Sequence, residues 1–128
     1  MTHPLPADRP VAVVVAAHGS RAVAANETHE ALVDALASSI DVPVRPGFLE
    51  LATPSIPDAI DAAVEAGATT VLVLPYFLHP GRHLVEDLPR IVSEAAVRHP
   101  DREIRLLASF GADPALTEVL AQQVRRAL

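Results

Sequence analysis

Two histidines, His18 and His83, and one glutamate, Glu50, are the residues whose type and placement suit chemistry. His18 ends the apolar run VAVVVAAHGSR, and His83 stands in PYFLHPGRHLVEDLP, shortly after a second such run. Glu50 closes GFLE, the end of a third. A neutral imidazole binds divalent cobalt, nickel, iron or zinc, and with an ordinary pKa of about 6.5 it is also a base near neutrality. Two imidazoles and a carboxylate can hold a transition metal with open positions, and so small a site suits transient delivery better than storage. Other chemistries lack their residues. There is no HExxH zinc motif, and HGSR is not the GxSxG elbow of a serine hydrolase. A phosphoacceptor receiver domain needs acids after its first strand and an aspartate ending its third, where this chain has His18 and PYFLHPG.

Short apolar runs alternate with helical stretches, and these elements must position the three residues. Strands are expected at Val11 to Ala17, Val44 to Leu49, Thr70 to Phe77 and Glu103 to Ser109. The first helix lies within Arg21 to Ile40, with Ala25, Leu32, Val33, Leu36 and Ile40 on its apolar face. The second runs from Ser55 to Ala66, where SIPD supplies a serine cap, an early proline and a reciprocal acid, and Gly67 stops it. The third follows Pro89 or starts slightly before it, with Asp87 as its cap. The fourth opens at Asp113 and Pro114 and repeats Leu116, Val119, Leu120 and Val124 along one side. Alternation of this kind implies a parallel sheet with right-handed crossovers, in one three-layer α/β/α domain over residues 1–128 with a flexible segment at 1–10.

Strand order follows from what each strand can expose. Strands one and three are apolar without interruption, which suits the doubly covered centre. Pro43 and Pro46 place strand two at one edge, and Glu103 and Arg105 place strand four at the other. The order is then 2-1-3-4, a flavodoxin-like half. Ligands of such sheets bind beyond the carboxyl ends of the strands, at the point where the connections diverge, here between strands one and three. His18, His83 and Glu50 all reach that rim. His79 reads as a rim residue and not a ligand, and His29 as structural or interfacial. Nothing is expected of His3 or His99.

Composition removes further classes. The chain has 128 residues, half of them hydrophobic but only three phenylalanines and one tyrosine, so aliphatic side chains must fill the core. No cysteine excludes disulfides, thiolate metal sites and cysteine nucleophiles. No lysine excludes a Walker-type phosphate lysine and a Schiff base. A net charge of −6 with no basic stripe argues against nucleic acid as a partner. MTHPLPADRP lacks the build of a signal peptide, and no apolar run reaches the ~20 residues that cross a bilayer. The expectation is a soluble, cytoplasmic protein without a membrane partner.

Four blocks in order, HGSR, GFLELATPSIPDAI, VLVLPYFL and GRHLVEDLP, resemble the short form of the class II tetrapyrrole chelatases, the sirohydrochlorin cobaltochelatases and their ferrochelatase relatives. The resemblance covers Val11 to the C-terminus. It implies insertion of a divalent metal into sirohydrochlorin on the cobalamin or sirohaem pathway, with Co2+ favoured and Fe2+ or Ni2+ the other candidates. The metal would be a substrate, and no cofactor would be tightly bound. It also implies that His18 and His83 are the metal-binding and catalytic pair, with Glu50 as a third metal group. The short form resembles proteins that pair as homodimers with the active site between subunits. Arg21 and Arg82, one beside each histidine, and Ser20 are then candidates to bind the substrate's carboxylates. Glu86 or Asp87 could orient the His83 ring, and Tyr76, Phe77, Leu78 and Phe48 could floor a flat macrocycle. The same histidine pair also fits a carrier that binds metal or tetrapyrrole without catalysis. A flavodoxin-like interaction module with no ligand is the third reading.

Overall fold

A computed structural model describes residues 10–79 and 81–128, with His83 described by its backbone alone. The expected segment 1–10 therefore lies, except for Pro10, outside the described residues. The elements are β1 (Val11–Ala17), α1 (Val23–Ser39), β2 (Val44–Phe48), α2 (Ile56–Glu65), β3 (Thr70–Pro75), α3 (Arg82–Arg98), β4 (Glu103–Leu106) and α4 (Ala115–Arg125). The four strands are parallel, in the order β2-β1-β3-β4. The edge argument thus holds, with Pro46 in register with Val15 on an outer strand, where a missing N–H is tolerated.

Residues alternate across the central strand. Val13 and Val15 point to the face covered by Val33 and Leu36 of α1. Ala12, Val14 and Ala16 point to the other, against Ile56, Ala59, Ile60 and Ala63 of α2 and Leu88, Ile91, Val92 and Ala95 of α3. Small alanines on β1 let those two helices sit close to the sheet. Helix α2 has the expected ends. The Ser55 hydroxyl accepts from the Asp58 N–H at 3.1 Å, and Gly67, at φ +109°, closes a Schellman turn in which Ala68 N–H bonds the Ala63 carbonyl.

Two helices depart from expectation. The inward stripe of α1 is buried His29 and Val33 with half-buried Asn26, Leu36 and Ala37, whereas Ala25, Leu32 and Ile40 are exposed. An apolar-only pattern misses Asn26, which finds hydrogen-bond partners inside, as does His29. Helix α3 begins at Arg82, capped by Gly81 and not by Asp87, and carries Pro89 within it. An internal proline costs roughly 3 kcal/mol, but the apolar stripe starts before it, at Leu84 and Leu88, and each buried leucine returns about 1.5–3 kcal/mol. Val85, whose carbonyl loses its helical donor to Pro89, is on the exposed side, where water can replace that bond. Strands β3 and β4 also end earlier than expected, at Pro75 and Leu106, although Tyr76 N–H still bonds the Ala16 carbonyl and Leu107 N–H that of Val73.

Far from the functional rim, His99 has a partner after all. Its Nε2 lies 2.7 Å from Asp61 Oδ1, and Arg98 donates to the same oxygen at 2.9 Å, tying the end of α3 to α2. Partial burial pushes the Asp61 carboxyl up, but the hydrogen bonds from His99 and Arg98 and the Arg98 charge outweigh it and hold it below its ordinary value. A carboxyl lowered on folding adds stability above its unfolded pKa of about 3.9, and that contribution disappears as pH falls through the lower folded value. Asp61 is about one-third exposed, so solvent screening keeps the effect small. Asp61→Asn is expected to cost ~0.5–1 kcal/mol near neutrality. Denaturant melts of the two proteins should converge as pH drops below about 4.

Candidate active site at the carboxyl rim

The site is built from backbone first. The β1–β2 ladder runs past the strands: Leu49 N–H donates to the Ala17 carbonyl at 2.9 Å and Glu50 N–H to the His18 carbonyl at 3.0 Å. Gly19 makes this crossing possible. At φ +92° it lies so close under the segment that follows β2 that a Cβ there would stand 1.7 Å from the Glu50 carbonyl oxygen. The chain beyond Glu50 then returns quickly, because Phe48 N–H takes the Pro54 carbonyl at 2.9 Å and Phe48 bridges to Ser55.

That frame brings His18 and Glu50 together. His18 Nε2 is 3.7 Å from Glu50 Oε1, and both side chains are about half exposed. His18 Nδ1 lies 3.3 Å from the Gly19 carbonyl, which can only accept. A ring with its proton on Nδ1 can donate to that carbonyl and present the Nε2 lone pair beside the carboxylate, the form that takes a metal. Nitrogen and oxygen ligands sit ~2.0–2.2 Å from a divalent transition metal. Two such atoms can stand up to about 4.4 Å apart on one ion, so the observed pair can share a cation while leaving most of its coordination open. Among the described residues no group of three or more histidines, cysteines or acids is placed to hold a metal.

The remaining expected residues are placed as follows. His83 is the second residue of α3, directly after the β3–α3 loop, and its side chain lies outside the described residues. Arg82 is the first residue of α3, almost fully exposed, with Nε 3.8 Å from Glu86. Glu86 thus pairs with Arg82, and Asp87 lies 3.5 Å from Arg90. Arg21 is exposed in the bend before α1. Ser20 does not cap α1. Its hydroxyl accepts from the Ala22 N–H at 3.0 Å, one position short of the helix. Of the four expected floor residues, Phe48 is buried and Phe77 packs on the core, while Tyr76 and Leu78 are exposed. His79 is exposed on the rim.

Three residues that were not expected, Asn26, Ser109 and Gly111, shape the rim together with His29, whose structural reading holds. Asn26 clamps the HGSR loop with both ends of its amide, accepting from Ser20 N–H at 2.9 Å and donating to the Ser20 carbonyl at 2.8 Å. His29 donates from Nε2 to the Val15 carbonyl at 3.1 Å, with its ring edge against Phe48, so it is structural. Its Nδ1 is buried without a partner among the described residues. Ser109 and Gly111 hold the β3–α3 loop: the serine hydroxyl and the glycine N–H both donate to the Phe77 carbonyl, at 2.9 and 2.8 Å. A Cβ on Gly111 would stand 2.0 Å from the Leu78 carbonyl oxygen, so this rim loop, like the Glu50 loop, lies directly on a glycine. An asparagine in a helix's first turn and a Ser-x-Gly after a strand were the signals available.

Comparison with known proteins agrees with the fold. The family model described as CbiX matches residues 12–127. The sirohydrochlorin cobaltochelatase of Methanothermobacter thermautotrophicus is 30% identical over 133 residues, spanning 92% of this chain and 93% of that one. The sirohydrochlorin ferrochelatase of Priestia megaterium is 30% identical over 114 residues, but there the chain spans only 43% of the relative's length. Among solved structures, a cobalamin (vitamin B12) biosynthesis CbiX protein from Marinobacter aquaeolei superposes with a TM-score of 0.81 at 30% identity, over 92% of this chain and 97% of that one. With its matched span running from the first strand to the last helix, the chain belongs to the CbiX family.

Proposed function

We propose that this chain is a sirohydrochlorin chelatase, a lyase-class enzyme that inserts a divalent metal into the macrocycle. Cobalt for the cobalamin route is favoured, with iron for sirohaem or nickel as the other metals. The observation that carries this reading is the His18–Glu50 pair, 3.7 Å apart on the switch-point rim of a CbiX-family sheet. The names of the two chelatase relatives support both cobalt and iron.

Insertion exchanges two pyrrole protons for one M2+. His18 Nε2 and Glu50 Oε1 take the ion from water and hold it toward the ring, with His83 as the second imidazole. As metal–nitrogen bonds form, the two protons pass to these imidazoles and the carboxylate and then to solvent. Positioned bases of this kind contribute ~10²–10⁴-fold, and holding metal and ring together adds proximity. Arg21, Arg82 and the Ser20 hydroxyl, which keeps its own proton to donate, bind the substrate's peripheral carboxylates. Local guanidinium groups are needed because a chain of net charge −6 otherwise repels a polyanion.

The working unit of this reading is a cytoplasmic homodimer of a single domain, with the macrocycle between subunits. Support comes from α4, which buries none of its side chains and leaves Val119, Leu120 and Val124 about half exposed. A second copy is the occupant that would cover this stripe. Sedimentation is expected to give the mass of two chains, reduced to one by Leu120→Glu. No helix among the described residues is long and apolar enough to cross a membrane.

The deciding experiment mixes protein, sirohydrochlorin and cobalt, iron or nickel and follows the macrocycle's absorption. Faster metal insertion than in buffer supports the enzyme. Bound macrocycle with the buffer rate would show the non-catalytic carrier. No spectral change at all would leave only an interaction module.

A further inference from the structure

Leu51, next to Glu50, is a residue whose type the fold does not require. Its φ is +64°, the left-handed region that leucine seldom occupies. Closure of the loop imposes that angle: Glu50 N–H is tied to the His18 carbonyl, Phe48 N–H to the Pro54 carbonyl, and the chain between must reverse within a few residues. The turn needs the backbone angle, but it does not need a leucine. Glycine or asparagine would adopt the same conformation at less cost. Nor does the side chain pack, since Leu51 is 52% exposed and belongs to neither core cluster. An unfavourable backbone and an unburied apolar side chain thus coincide one residue from the carboxylate that faces His18.

Resting on the chelatase reading, we propose that Leu51 is a specificity-determining residue that receives the apolar face of the tetrapyrrole. A macrocycle of this class is a flat apolar disc fringed with carboxylates around a polar centre. Glu50 repels the fringe and suits the metal and pyrrole N–H groups at the centre, whereas an isobutyl group suits only the face. Side by side, the two residues sort the disc by its parts. Strain tolerated at such a point is characteristic of ligand-contacting loops.

The test compares Leu51→Gly, Leu51→Asn and Leu51→Met with wild type in sirohydrochlorin titrations without metal, insertion kinetics, thermal melts and sedimentation. Covering about half a leucine side chain corresponds to roughly a three- to tenfold change in affinity. Glycine and asparagine should therefore raise Kd and KM by about three- to tenfold. Under the same proposal kcat stays within about twofold, the melting temperature is unchanged or higher, and methionine restores wild-type affinity. Unchanged Kd and KM in the glycine and asparagine variants, with melting raised, would make Leu51 a turn residue only and overturn the proposal. So would a change in sedimented mass, which would assign the side chain to a subunit contact. Wild-type protein is measured first: failure to bind sirohydrochlorin at all strikes the chelatase reading itself, whereas normal wild-type turnover with indifferent variants strikes Leu51 alone.

Discussion

Replacing His18 with alanine is expected to lower the rate of metal insertion by at least ~10²-fold while leaving the fold intact. The two halves of that expectation have separate causes. The His18 side chain is about half exposed and makes one long contact to the Gly19 carbonyl and one to Glu50, so truncation should change stability by no more than about 0.5 kcal/mol. The rate, by contrast, would lose a group to which the proposed mechanism gives two roles, metal ligand and proton acceptor. His83→Ala is expected to show a loss of similar size. The double variant should be little worse than either single one, because residues that act on one ion do not contribute independently. Insertion assays at saturating metal, paired with thermal melts, check both halves. Full activity in both single variants would remove the histidine pair from the mechanism.

Gly19→Ala is expected to do more general damage than loss of either site side chain. The new Cβ would stand 1.7 Å from the Glu50 carbonyl oxygen and 2.9 Å from its carbon, both backbone atoms that no rotamer change can move. The left-handed backbone at Gly19 adds strain of about 1–2 kcal/mol for any L-residue. Relief requires the two rim loops to part, which breaks the Leu49–Ala17 and Glu50–His18 hydrogen bonds at about 1 kcal/mol each. The sum is a destabilisation of ~3–4 kcal/mol together with loss of the His18–Glu50 geometry. Gly67→Ala provides the contrast. That residue also has a positive φ, +109°, but open space where its Cβ would go. It should lose about 1 kcal/mol and keep its insertion rate. Equal rates in the two alanine variants would mean that the close crossing under Glu50 has no bearing on the chemistry.

The His18–Glu50 part of this site was legible before any coordinates, whereas the His83 side chain lies outside the described residues. The parallel order follows from where prolines and charges are permitted, so His18 and Glu50 could be assigned to the ends of neighbouring strands β1 and β2. Their contact then needed only the ladder to continue one residue further, as it does. Helix α3 was less legible, because the cost of Pro89 is local and visible while its compensation is not. That compensation lies in the burial of Leu84 and Leu88, the second of them packed in the core with α2 and the sheet. The inner face of α1 was misjudged for a related reason. Asn26 looks like a surface residue until the Ser20 backbone is seen to satisfy both ends of its amide.

What the chain determined by itself was the order of its elements and the rim at which its chemistry-bearing residues emerge. Both depend on which residues tolerate burial on one face, two faces or none, a property of each residue and its near neighbours. Tertiary structure alone decided which backbones touch: Gly19 beneath Glu50, Gly111 beneath Leu78, and the reversed turn that leaves Leu51 beside the acid. Such close approaches join residues 31 or 33 positions apart. They are set by the packing of whole strands and loops, which no local pattern encodes.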